Sequence, residues 1–227
     1  VPLLAKHLAA ASSPEEAQDA ELALIALRGG AATDRALVGE LGQSGAETKI
    51  RLFAILARRG AVAALPVLLA ESAGSDTATV RAAFRALGRL ASGADVPKLL
   101  DRLVALKAPE ARTEAESAAA RALAKIADAG QRSEAVRTVL AKTSDVEARC
   151  ALLRLLPAAP SAESLGALVA AGKDKDAVVR DAAVRSLVTW PDAAGWDALA
   201  SVVERPETKA HRALALQIGR ASCRERV

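Results

Sequence analysis

Apolar residues recur along this chain at helical rather than strand spacing, and the segments they define come round again. Helical stretches end in leucine at Leu27, Leu56, Leu87, Leu123, Leu156, Leu187 and Leu216, seven anchors set 29, 31, 36, 33, 31 and 29 residues apart. AAFRAL (Ala82 to Leu87), AAARAL (Ala118 to Leu123), ALLRLL (Ala151 to Leu156) and AAVRSL (Ala182 to Leu187) are close variants of one hexapeptide. Apolar residues three and four places before each leucine share its helix face, and small residues at the start of each hexapeptide let another helix approach closely. A second helical stretch precedes each anchor segment, over 1–11, 34–43, 62–72, 95–107, 133–142, 162–171 and 192–204. The pattern predicts about seven helical hairpins, each with an apolar stripe that it cannot bury alone and that stacking would cover.

Local signals punctuate the same period. Pro2, Pro66 and Pro97 each precede paired leucines and suit a first helical turn, where a missing N–H costs no intrahelical bond. Ser13 with Glu16, Ser44 with Glu47, Thr113 with Glu116 and Ser144 with Glu147 have capping-box spacing and predict the starts of four second helices. Asp176, and Pro206 with Glu207, suggest a different start in the last two repeats, and Gly29, Gly60, Gly130 and Gly172 mark predicted helix ends.

Over residues 1–217 these paired helices resemble the HEAT-repeat family. The resemblance implies an all-α fold, an α-solenoid of about seven stacked hairpins, elongated and curved, with the second helices lining the concave surface. VRDAAVRSLVTWPDA (Val179 to Ala193), followed by KAHRALAL (Lys209 to Leu216), is similar to HEAT segments of large multidomain proteins of environmental bacteria. There the solenoid accompanies sugar-hydrolase-like or c-type haem domains, which tilts the expected location towards the periplasm or cell envelope. No CxxCH motif is present, so that chemistry is not carried over.

Composition agrees with helices. Apolar residues make up 52% of the chain, yet the aromatics are only Phe53, Phe84, Trp190 and Trp196, and Tyr and Met are absent. An all-β fold would lack its preferred residues. No apolar run approaches the roughly 20 residues that a membrane span needs. The opening VPLLAKHLAAASSPEE reads as a frayed first helix rather than a secretory signal, since it lacks a basic start. The absence of an initiator Met suggests that residues precede Val1. At the other end, IGRASCRERV (218–227) resembles the in-frame translation of a sequencing-library adapter, and is expected to add nothing specific to the fold. Without Arg220, Arg224, Arg226 and Glu225 the net charge of +4 falls to +2, and Cys150 is left without a second cysteine to pair with.

The residues offer little recognisable chemistry. His7 and His211 belong to the first and last repeats and cannot share a site. Cys150 has no nearby His, and no serine sits on a strand-to-helix elbow. The glycines form neither GxxxxGKS nor GxGxxG, so no cofactor is expected, and no metal-ligand cluster stands out. On this reading the chain is a non-catalytic protein–protein interaction scaffold, or a spacer within a larger bacterial protein. It would be a monomeric rod that is not an enzyme. The alternative is a HEAT-like enzyme or enzyme accessory, since HEAT-like folds include phycobilin-lyase-type proteins and DNA-alkylation glycosylases. Weak positive charge and few aromatics make nucleic acid an unfavoured partner.

Two features are candidate partner contacts. Arg85, Arg121, Arg154 and Arg185 each stand two residues before an anchor leucine. Two residues rotate a helix by about 200°, which aims these side chains away from the core. With Arg81 and Arg89 alongside, they could meet an acidic surface, or serve only as a solvated face among acids such as Glu114 and Asp181. Repeats one, two and seven have Ile25, Ala54 and Leu214 at the equivalent place. Trp190 and Trp196 bracket the WPDAAGW turn as binding anchors or, more plainly, as packing at that junction.

Overall fold

The computed structural model describes residues 1–203. Among these are thirteen α-helices, three short 3-10 turns and no strand. The first helices of successive hairpins are α1 (Pro2–Ala10), α3 (Gly30–Leu41), α5 (Leu65–Glu71), α7 (Val96–Ala105), α9 (Ala129–Lys142), α11 (Ala162–Ala171) and α13 (Ala194–Val203). The second helices are α2 (Pro14–Ala26), α4 (Ala46–Arg59), α6 (Thr77–Leu90), α8 (Pro109–Leu123), α10 (Val146–Leu155) and α12 (Ala177–Val188). The fold is an all-α, HEAT-like stack of hairpins, six complete and a seventh represented by its first helix. Pro206, Glu207, His211, Leu214, Leu216 and the 218–227 tail lie outside the described residues. No described helix is long and apolar enough to cross a membrane.

The chain divides into two compact bodies, Val1–Arg102 with Leu106–Ala122, and Leu103–Ala105 with the chain from Leu123 on. In the N-terminal body α2, α4 and α6 pack side by side over a core that includes the fully buried Phe53 and Phe84. The approach of α8 to α6 depends on Gly88. A Cβ there would stand 3.2 Å from the Ala118 Cα and 3.5 Å from its Cβ, and the Arg121 Cδ lies 3.5 Å from the same point. In the C-terminal body α10 packs against α12, and α9 and α11 stand beside them.

Of the expected caps that set the repeat register, Ser13 and Asp176 are present and the others are replaced. Ser13 does cap α2, accepting from the Glu16 N–H at 3.2 Å, but the Glu16 carboxylate returns to Ser12 rather than to Ser13. Gly45, not Ser44, is the N-cap of α4, and the Ser44 hydroxyl donates to Glu40 O. Asp145, not Ser144, caps α10, accepting from the Ala148 N–H at 2.9 Å. Thr113 lies a turn inside α8, which begins at Pro109, and donates to Pro109 O at 3.2 Å. Asp76 and Asp128 cap α6 and α9 in the same way as Asp145, and Asp176 caps α12 by accepting from the Val178 N–H at 2.8 Å. An ionised carboxylate is a stronger acceptor for free amides than the hydroxyl next to it, and it also suits the helix dipole.

These caps define one phase. Eleven residues after N-caps Ser13, Gly45, Asp76, Asp145 and Asp176 come Leu24, Leu56, Leu87, Leu156 and Leu187, each at most 2% exposed. The anchor of the first repeat is therefore Leu24, while Leu27 is only half-buried and caps the end of α2. The place equivalent to Arg85 in that repeat is Leu22, which is 45% exposed, rather than Ile25. Helix α8 departs from the phase. It begins at Pro109, fourteen residues before Leu123, and its Arg112 is buried and donates from Nη2 to Leu106 O. The prolines stand as expected, in the first turns of α1, α5 and α7. Gly60 ends α4 at φ +71 with the Ala61 N–H donating to Leu56 O at 3.0 Å, whereas Gly130 opens α9 instead of closing a helix.

Candidate functional site

A broad concavity lies within the C-terminal body, between α9 and α11 over α10, with a volume of about 1030 Å³. It exists because the facing helices carry little bulk. Ala141, Ala167, Ala170 and Ala171 line it, with Leu140 and the buried Leu153 adding apolar surface. Polar groups gather at its two ends. Gly130, Glu134, Arg137 and Glu163 come from the early turns of α9 and α11, and Thr143, Arg149 and Asp174 from beyond their far turns.

At the far end Arg149 Nη2 meets Asp174 Oδ2 at 2.7 Å, and the Asp176 N–H donates to Asp174 Oδ1 at 3.0 Å. That backbone N–H first, and the guanidinium second, hold the Asp174 carboxyl below its ordinary range. Arg180 Nη1 closes the same corner by donating to Asp174 O at 2.8 Å. At the near end a hydrogen bond from the Ser161 hydroxyl is the leading cause that lowers the pKa of Glu163, and the charge of Arg137 acts in the same direction. Both carboxylates are ionised at neutral pH, so the groove presents fixed charge at each end of an apolar middle.

Beneath the wall between α9 and α11 is a buried hydroxyl relay that sequence reasoning missed. Ser133 Oγ lies 2.8 Å from both Ser161 Oγ and Ser164 Oγ, and Ser164 Oγ donates to Ala159 O at 2.8 Å. The single Ser164 proton is thus committed, so Ser133 donates to Ser164, and the one Ser161 proton is shared between Ser133 and Glu163. Ser161 Oγ in turn accepts from the Ser164 N–H at 3.0 Å as the cap of α11. Every hydroxyl proton has an acceptor, and the groove wall is held rigid by donors that need no water.

Of the expected contact residues, Arg85 and Arg121 in the N-terminal body and Arg154 and Arg185 in the C-terminal body are all exposed. Acids neutralise part of this charge. Arg85 Nε and Nη2 meet Glu114 Oε1 at 2.8 and 2.6 Å, Arg81 reaches the same oxygen at 3.6 Å, and Arg185 Nε pairs with Asp181 at 2.7 Å. Arg89 is exposed on α6. Trp190 is 9% exposed and packs on Gly195, where a Cβ would come within 2.5 Å of the indole's own Cβ, and Trp196 is 38% exposed. The two indoles therefore differ in role, one being a packing residue and the other partly open to solvent. Cys150 is buried, its Sγ 3.6 Å from Val178 O, and burial raises its pKa. His7 is exposed.

This is the geometry of a helical-hairpin repeat protein with a substantial groove among its described residues. No family model matches the chain, and no curated protein matches it. Among solved structures it is similar to human deoxyhypusine hydroxylase in complex with glycerol, at 16% identity and a TM-score of 0.44, with 96% of this chain and 93% of that chain covered. That protein is named as an enzyme, which corrects the expectation of a non-catalytic scaffold that is not an enzyme. The expectation rested on missing short motifs, and a helical repeat can bring polar side chains together from separate hairpins with no linear motif at all, as Arg149 and Asp174, 2.7 Å apart, show here. The likeness itself assigns no reaction or ligand to this chain.

Proposed function

We propose that the chain serves an enzymatic reaction, as enzyme or as accessory, by holding a small organic molecule in the α9–α11 groove. The observation that carries this reading is the groove itself, about 1030 Å³ with an apolar middle and charged ends. Its volume is of the order typical of small-molecule sites, roughly 300–1,000 Å³. Of the enzyme-associated alternatives, one that holds a compact ligand suits this groove better than one that grips DNA. No aromatic side chain lines it for base stacking.

The test is an NMR titration of the full chain with a panel of small amphipathic molecules, linear and cyclic, of either charge, alongside mass-spectrometric search for turnover. Binders should perturb amides of α9 and α11 at concentrations below about 1 mM. Ala167→Trp, which fills the groove, should abolish the perturbation while leaving the helical circular-dichroism signal unchanged. The reading fails if no compound perturbs those helices, or if the filled variant binds as well as the parent.

A further inference from the structure

A second surface, separate from the groove and lying wholly in the N-terminal body, has a different character. The C-terminal halves of α4, α6 and α8, over 54–59, 85–90 and 117–122, contain Arg58, Arg59, Arg85, Arg89 and Arg121 and not one carboxylate. Arg59 is turned inward, with 7% of its side chain exposed. The other four are exposed. They also keep the repeat phase: Arg58 and Arg89 each stand thirteen residues after their N-caps, Gly45 and Asp76, and Arg85 and Arg121 each stand two residues before an anchor leucine. The result is a lattice of guanidinium stems on three neighbouring helices.

Gly88 tightens this lattice. Because it has no side chain, α8 comes close enough for the Arg121 stem to lie against α6 at Gly88. Like charges are gathered there, and Glu114 pairs with Arg81 and Arg85. Cations near helix C-termini are favoured by the helix dipole, which accounts for one per helix but not for their convergence across helices.

We propose that this face docks an extended acidic peptide segment of a partner protein. Stacked helices lie roughly 10 Å apart and an extended chain advances about 3.3 Å per residue, so carboxylates about three residues apart would meet successive helices. Forked guanidinium groups bind carboxylates through paired hydrogen bonds. Single-stranded nucleic acid would also offer anions, but it is usually held by exposed aromatics, and the aromatics of this body, Phe53 and Phe84, are both fully buried.

The experiment is fluorescence anisotropy on the full chain with a labelled peptide of about nine residues, Asp at every third position and Gly or Ser between. The same peptide with Asn for Asp is the control, and an oligothymidylate of similar length is the rival. The Asp peptide should bind with steep salt dependence, and the combined Arg58→Gln, Arg85→Gln, Arg89→Gln and Arg121→Gln variant should bind about tenfold or more weakly at an unchanged melting temperature. Equal binding of the Asn peptide, equal binding by the variant, or tighter binding of the oligothymidylate would each overturn the proposal. Groove ligands should bind the variant normally, so the failure of either reading is visible independently of the other.

Discussion

Replacing Arg59 tests how one hairpin is fastened to the next. Its Nε pairs with Asp34 Oδ1 at 2.7 Å on α3, and its Nη1 donates to Leu24 O, Ile25 O and Leu27 O at 3.0, 2.9 and 2.8 Å. Those three carbonyls belong to the end of α2, where no further turn of helix can satisfy them. A single side chain from α4 therefore caps α2 and holds α3. Arg59→Ala would leave Asp34, whose side chain is 14% exposed, without this partner and would strand the carbonyls. Breaking a buried pair from one side costs about 3–5 kcal/mol, and water entering the vacated space should bring the value towards the lower end. Arg59→Lys keeps the charge but not the fork, so it can serve Asp34 or the carbonyls but not all of them together, and about half of the loss is expected. Because contacts in a repeat stack are between neighbours, the loss should be local. Hydrogen exchange is the suitable assay: amides of α2 and α3 should lose about a hundredfold or more of their protection, at 1.36 kcal/mol per tenfold, while α10 and α12 keep theirs. A cost below about 1 kcal/mol, the level of an exposed pair, or a loss spread evenly over the chain, would refute the reasoning.

Four further outcomes follow from the packing and the titratable groups. Gly88→Ala should be near neutral, since a gain of up to about 1 kcal/mol in helix propensity offsets the tight contact with Ala118, whereas Gly88→Leu should cost about 1–3 kcal/mol in a denaturant titration; equal stability of the two would contradict the close approach. Ser133→Ala removes the middle of the hydroxyl relay and should cost about 1–2 kcal/mol, with the exchange of the α11 amides reporting it first. The Asp174 carboxyl is held below its ordinary pKa, so its hydrogen bond from the Asp176 N–H and its pairing with Arg149 stabilise the fold above about pH 4, and that contribution fades as pH falls through the folded-state value. Asp174→Asn should accordingly lower the urea midpoint at neutral pH and differ little from the parent in strong acid; the opposite trend would show that the pairing has been misread. The Cys150 thiol, buried and with its pKa raised, should react with a disulfide reagent only on unfolding, and fast labelling of the native Cys223→Ser variant, in which it is the one thiol, would show otherwise.

The repeat was legible because it is written in residues that act locally. Helical periodicity and recurring leucines give the hairpins, and every expected first helix is present within a few residues. The register of the first repeat was misread at Leu27 because α2 is rich in Ala and Leu, and several positions there fit an apolar face. Only the cap at Ser13 selects Leu24. The expected capping boxes failed mostly for a related reason: Ser144 has an aspartate next to it, Ser44 has a glycine, and spacing alone does not say which group the free amides choose. What could not be read was assembled from distant parts. The Arg59 cluster uses backbone carbonyls, which have no sequence signature. The groove arises from missing bulk at Ala141, Ala167 and Ala170, residues that look like any other helix formers. The serine relay joins residues about thirty positions apart, none of them unusual by itself.

The constancy of the cap-to-anchor distance has a consequence for how this chain can vary. With Leu24 as the first anchor, successive anchors lie 32, 31, 36, 33 and 31 residues apart, while five of the six second helices keep eleven residues from cap to leucine. One residue inserted inside that stretch would turn everything beyond it by about 100° and bring the anchor out of the core. The same residue inserted in a connecting turn is taken up in the loop, whereas a first helix, with buried leucines of its own, would be turned in the same way. Length change is therefore confined to the connecting turns, and insertions and deletions that survive in natural variants should collect there.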